Sequence, residues 1–204
     1  MPEPYVVYPN VHLGKNVTIE EFCVIGKPPV GVAVGELETF IGDNAVLRSG
    51  TVIYAGNRIG SGFQTGHHVV VRESNTIGDD VSIGSLSCVE HHVILEDGVR
   101  LHSQCFVPEY SVLKKRAWLG PHCVLTNAKY PRSRNVKQFL VGAVLEENVK
   151  VGANSTILPG VQIGRDSLIG AGSTVTKDIP AGVVAVGNPA VVVREVSQIE
   201  AYQA

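Results

Sequence analysis

Aromatic residues are scarce in this chain: five Phe, six Tyr and one Trp make up 6% of 204 residues. An interior with so few rings must be narrow and lined by aliphatic and small side chains. Charge is thin as well, at 18% of residues with a net of −2, and no basic run occurs. Nucleic acid is therefore not an expected partner. No apolar stretch approaches the ~18 residues of a membrane span. The opening Met1-Pro2-Glu3-Pro4 is not a basic start before an apolar block, so no signal peptide is expected. With only four cysteines and no export signal, the expected home is a cytoplasm that keeps thiols reduced.

What the chain has instead is a six-residue beat. An aliphatic residue recurs at every sixth position from Ile41 to Leu125, through Leu47, Ile53, Ile59, Val71, Ile77, Ile83, Val89 and onward, and only Thr65 breaks the rule. A fixed period of six is neither helical nor simple strand alternation, and it marks a parallel β-helix. If the aliphatic residue is position 1 of each hexad, then Cys23, Cys105 and Cys123 fall at position 5. Ala45, Val69, Val81, Ser87, Val93, Ala117, Ser155, Ser167 and Ser173 share that position. This mostly small set should point inward, with the cysteines packed as small hydrophobes. Three hexads would close one coil. The expected fold is all-β, a parallel β-helix of about eight coils and a single domain over 1–192. Two loops leave the coil, at about 27–40 and 128–143, and long loops in a compact repeat tend to carry function. Val193, Val196, Ile199 and Tyr202 fit one face of a short capping helix over 193–204.

Ile-Gly-x-x-x-x units, the block Val151-Gly152-Ala153-Asn154-Ser155-Thr156-Ile157-Leu158-Pro159-Gly160-Val161 and the ending Gly187-Asn188-Pro189-Ala190 resemble the hexapeptide-repeat acyltransferases. The resemblance implies a left-handed β-helix, a homotrimer with active sites between subunits, and acyl-CoA or an acyl carrier protein as donor. Residues 118–132, from Trp118-Leu119-Gly120-Pro121 to Tyr130-Pro131-Arg132, resemble more narrowly a subgroup that acetylates amino sugars carried on nucleotides.

Every third hexad, position 3 gives one outward column: Glu73, His91, Glu109 and Asn127, each 18 residues from the last. Coils stack about one strand spacing apart, ~4.8 Å, so His91 should have a carboxylate on either side. Acyl transfer from a thioester needs a base for the attacking amine or hydroxyl, and an imidazole near neutrality suits that role. Family members place a catalytic His in an aliphatic-x-His turn, which Val89-Glu90-His91 matches. His91 is the expected base, with Glu73 or Glu109 orienting it and His92 as its competitor. A second column carries His67, His68 and His102, candidates for acceptor contact together with His92, Tyr110, Asn127, Tyr130 and Arg132. Bare turns at Gly120, Gly152-Ala153 and Gly170-Ala171 would admit a pantetheine arm. Trp118 would cover the site or pack at the trimer seam, and Lys177 or Arg194 would meet a coenzyme A phosphate.

The expected function is acetyl-CoA-dependent N-acetylation of an amino sugar, with a nucleotide-linked sugar favoured, by direct attack and without a metal. The alternative acceptor is a sugar hydroxyl. Two rivals come from other classes. One is a non-catalytic β-helix. The other is a γ-class carbonic anhydrase-like zinc protein, which Arg48 and Gln64 match but Gly50 and Val70 do not.

Overall fold

The computed structural model describes residues 4–202. The chain winds as a parallel β-helix of triangular section, matching the left-handed form expected from the resemblance. Its walls are three sheets of nine, eight and ten strands, and apart from the end strands and a terminal hairpin each strand hydrogen-bonds its equivalents in the coils before and after. One hexad supplies one wall. Ser82–Ile83 lies in the third sheet, Cys88–Val89 in the first, Ile94–Leu95 in the second, and Arg100–Leu101 returns to the third. With two residues per strand, one side chain points out and the next points in. Position 6 is thus half-exposed and position 1 is core: Leu47, Ile53, Val89, Leu95, Leu113, Leu119 and Leu125 are all 0% exposed.

The register is 18 residues per coil. Val70 pairs with Cys88, and Cys88 with Phe106. After the second loop the step becomes 32, as Leu125 pairs with Ile157 and Trp118 with Lys150, and the coil continues in phase. The first loop leaves the wall between Val24–Lys27 and Thr39–Ile41. The second leaves between Val124–Leu125 and Val144–Leu145, and carries one 3-10 turn at Val136–Phe139.

Each corner turns at position 4, which is left-handed: His68, Leu86, His92, Gln104 and Tyr110 have φ of 54–66°. The glycines that open the turns do a different job. A Cβ on Gly84 would stand 2.4 Å from the backbone nitrogen of Ser103 in the next coil. Glycine is needed there because backbone stacks directly on backbone.

Position 5 carries a repeated polar device. Ser87 Oγ donates to the His102 carbonyl at 3.1 Å, Ser155 Oγ to Gly170 at 3.1 Å, Cys105 Sγ to Gly120 at 3.2 Å and Cys123 Sγ to Gly152 at 3.1 Å. Each inward hydroxyl or thiol thus satisfies the carbonyl at the turn entrance one coil further on. All four cysteines are free thiols. Burial pushes Cys105 up to about 12, so it packs and donates rather than reacts.

The C-terminal helix expected over 193–204 is not formed. Ala190–Glu195 is a strand antiparallel to Val183–Gly187, and this hairpin extends the third sheet. Val191, Val192 and Val193 are consecutive β-branched residues, stiff at χ1 and suited to an extended strand. Two short 3-10 turns follow, Val196–Gln198 and Glu200–Tyr202, and the last two residues of the expected helix lie outside the described residues. Among the described residues no helix is long and apolar enough to cross a membrane.

Leu119 is fully buried, and its neighbours in the column are Leu101 and Val151. Leu119→Ala is expected to cost about 2–5 kcal/mol, read as a lowered midpoint in guanidinium denaturation.

Candidate functional site

Turns between the first and second sheets stack into one ridge. Along it Asn127 Nδ2 donates to Glu109 Oε2 at 2.6 Å, and Glu109 Oε1 lies 3.6 Å from His91 Nε2. His91 Nδ1 is 2.8 Å from His92 Nδ1, so one ring donates and the other accepts. The left-handed φ of His92, 57°, folds it back against its neighbour. Tyr110 stands beside both rings, with centroids 6.1 and 5.9 Å away. Stacking at 18 residues therefore brings Asn127, Glu109 and His91 into one chain of polar contacts, with His92 and Tyr110 closing it on the solvent side.

Glu73 occupies the same ridge but faces another partner. The Arg72 guanidinium grips it with Nε and NH2 at 2.9 and 3.0 Å, and reaches Glu90 at 3.3 Å. Burial acts to raise the Glu73 carboxyl, but the Arg72 hydrogen bonds, a backbone hydrogen bond and the charges of Arg72 and His91 together outweigh it and hold the group below the usual carboxylate range. Arg72 is itself pinned from within, since its carbonyl accepts from Asn57 and Asn75, at 2.7 and 2.8 Å, both buried.

Turns between the third and first sheets form a second ridge on the other side of the first sheet. Gly66, His67, His68, His102, Gly120, Gly152, Ala153, Gly170 and Ala171 all lie on it. His68 lies over Gly50, where an added Cβ would stand 2.3 Å from its Nδ1. His102 stacks edge-on against Trp118, with centroids 4.8 Å apart. Lys177 is exposed and follows the last strand of the first sheet, whereas Arg194 sits in the terminal hairpin of the third. The two candidate phosphate contacts thus lie on different walls. Tyr130 and Arg132 project from the second loop and are exposed. That loop meets the first ridge through Val141 N–H, which donates to the Asn127 carbonyl at 3.0 Å. Among the described residues, no three His, Cys, Asp or Glu side chains converge in a metal-binding arrangement.

Sequence reasoning passes over a cleft of about 410 Å³ on the outer face of the third sheet, against the second ridge. Arg48, Gln64, His67, Arg100 and His102 are among its walls. A signal for it exists in the repeat: Gln64, Ser82 and Arg100 are the outward position-6 residues of three successive coils.

The third ridge, between the second and third sheets, is a solvated ladder of charge. Lys115 faces Asp97 at 3.3 Å, and Arg165 pairs with Glu147.

A model of bacterial transferase hexapeptide repeats (six repeats) matches residues 142–177. Over 82 residues the chain is 45% identical to a galactoside O-acetyltransferase of Lactococcus lactis, covering 38% of this chain and 40% of that protein. Over 86 residues it is 35% identical to a 2,3,4,5-tetrahydropyridine-2,6-dicarboxylate N-acetyltransferase of Staphylococcus aureus, covering 42% and 34% respectively. Among solved structures, a point mutant of the perosamine N-acetyltransferase of Caulobacter crescentus, in complex with CoA and GDP-perosamine, aligns over 94% of this chain and 54% of that one. That alignment has 21% identity and a TM-score of 0.40. The chain spans well under two thirds of each of these relatives.

Burial depresses His102 below 6.5, and the nearby Arg100 charge adds to the effect. The unfolded chain therefore binds this proton more readily than the folded one. Stability from this group is full at neutral pH and falls as pH drops through 6.5 toward the depressed value. His102→Gln is expected to flatten the acid side of the melting-temperature profile, measured from about pH 7.5 to 5, the range a histidine spans.

Proposed function

We propose that this chain, a member of the hexapeptide-repeat family by its coil and its matched repeats, is an acyl-CoA-dependent acetyltransferase acting on a sugar. An amino group on a nucleotide-linked sugar is the favoured acceptor. The observation that carries this reading is the Asn127–Glu109–His91–His92 chain, built on a ridge where the repeat itself requires no polar residue. The names of the relatives, which include both O- and N-acetyltransferases, support acetyl transfer and leave the acceptor atom to experiment.

In the tautomer where His91 Nδ1–H donates to His92 Nδ1, the His91 Nε2 lone pair is free to take a proton from the attacking nitrogen. At 3.6 Å, Glu109 is too far to occupy Nε2 with a short hydrogen bond but near enough to stabilise the imidazolium that forms. Asn127 holds the carboxylate in place. The nucleophile then attacks the thioester carbonyl directly, and the thiol of coenzyme A leaves. His91→Ala should lower kcat by ~10²–10⁴-fold in a thiol-release assay with acetyl-CoA and a panel of amino sugars. His92→Gln should cost less and move the pH profile. Near-normal turnover in His91→Ala would remove His91 as the base.

The outer face of the first sheet supports assembly as a homotrimer. Val52, Val70, Cys88, Phe106 and Val124 form a half-buried, uncharged strip down its length. This wall lies between the two functional ridges, so packing it around a three-fold axis would set the His91 ridge of one chain against the His102 ridge of the next. The bare turns at Gly152 and Gly170 would then border the thioester. Phe106→Glu is expected to yield monomers by light scattering, with loss of turnover although His91 is intact.

A further inference from the structure

The one interruption of the aliphatic beat, Thr65, has a specific partner. Thr65 is 1% exposed and its Oγ1 accepts from the Arg48 backbone N–H at 3.0 Å. Thr51, fully buried, donates its hydroxyl to the Arg48 carbonyl at 2.7 Å, and the two threonine hydroxyls lie 2.9 Å apart. The Arg48 guanidinium donates in turn to the Thr65 carbonyl at 2.6 Å. Two inward hydroxyls thus hold the Arg48 backbone, and the Thr65 backbone carbonyl holds its head group. Thr51 also reaches the Gly66 carbonyl at 3.3 Å, as Ser87 and Ser155 each reach a turn carbonyl at their own corner, so the departure from the repeat is Thr65, a buried polar group that would cost stability if its hydrogen bonds were not made.

Arg48 forms one end of the cleft on the third sheet, and its head group reaches one coil along the axis to Thr65. Arg100 lines the cleft from the outward face of a later coil, and His67, His102, Gln64 and Ser82 complete the polar lining. Among the described residues no Asp or Glu lines the cleft. The nearby acid Glu20 accepts from the Ser49 N–H and hydroxyl through Oε2, both at 2.9 Å, and its charge also acts on His67 and Arg48, so the cation left without a counter-charge is Arg100. Arg100 has neither an ion pair nor a side-chain hydrogen bond among the described residues. Two arginines, one locked and one without a counter-charge, facing an acid-free cleft of this size make a receptor for a planar or tetrahedral oxyanion.

We propose that the cleft binds an oxyanion of the acyl acceptor, either a carboxylate on its sugar or the diphosphate of its carrier, with Arg48 and Arg100 as the cations and Thr65 as a positioning residue. Assignment to the acceptor rests on the acyltransfer reading; the oxyanion site itself does not.

Calorimetric titration of the whole protein with glucuronate, inorganic pyrophosphate and glucose tests it. One of the two anions should bind and glucose should not. Arg100→Gln should weaken that anion about 10-fold or more, as expected for loss of a charge-assisted hydrogen bond. Thr65→Val, close in size, should weaken it while the protein remains folded by melting temperature. Glucuronate as the ligand places the charge on the sugar, and pyrophosphate places it on the carrier. Anion binding that is absent, or unchanged in Arg100→Gln, overturns the site. Pyrophosphate binding abolished by saturating coenzyme A gives the cleft to the donor and overturns the acceptor assignment. Stabilisation of Arg100→Gln by coenzyme A, together with turnover lost in His91→Ala, reports on acyl transfer separately.

Discussion

Everything in this molecule depends on coils lying in register, so that residue i rests on residue i + 18. Parallel backbone ladders on three walls enforce it, and a column of aliphatic side chains inside makes a slip costly. A one-residue slip would exchange the inward and outward sets on every wall. The same register turns sequence spacing into spatial adjacency, so a side chain at a corner finds its partners one coil above and below. Chemistry here is assembled along the axis by stacking, without any need for distant segments to meet.

The polar exceptions inside the prism are concentrated where outward groups must be held. Thr51 and Thr65 serve Arg48, and Asn57 and Asn75 serve Arg72. Ser87, Ser155, Cys105 and Cys123 perform a milder version of the task, each capping a turn carbonyl. The interior is therefore more than a hydrophobic filling. It carries a second layer of hydrogen bonds that fixes particular corners while leaving others to backbone stacking alone.

Much of this is legible in the sequence. The period of six locates the walls, and the return of the beat at Leu145 shows the second loop to be an excursion from an unbroken coil. Spacing places His91 between Glu109 and Glu73, but Glu73 accepts its side-chain hydrogen bonds from Arg72 and meets His91 through charge alone. A column compares coils and overlooks the adjacent residue, and a neighbouring guanidinium outcompetes an imidazole one coil away. The terminal helix fails for a related reason. An apolar face at helical spacing is present, but the strand preference of three successive valines and the open ladder beside them prevail. The cleft is hidden because its walls combine corner residues with the outward flat of the third wall, two sets that a column at one position does not join. Thr65 stands out as an exception, but its meaning needs the side chain opposite.

A stack of parallel coils has no inherent last member, since its final rung always presents donors and acceptors for another. The hairpin of Val183–Gly187 and Ala190–Glu195 answers this on the third wall by reversing direction. A strand running the opposite way offers the wrong hydrogen-bond pattern to an incoming parallel rung, and its side chains sit out of step with the six-residue repeat. Chain reversal thus serves as a length gauge, and it leaves that wall a poor template for end-to-end fibre growth.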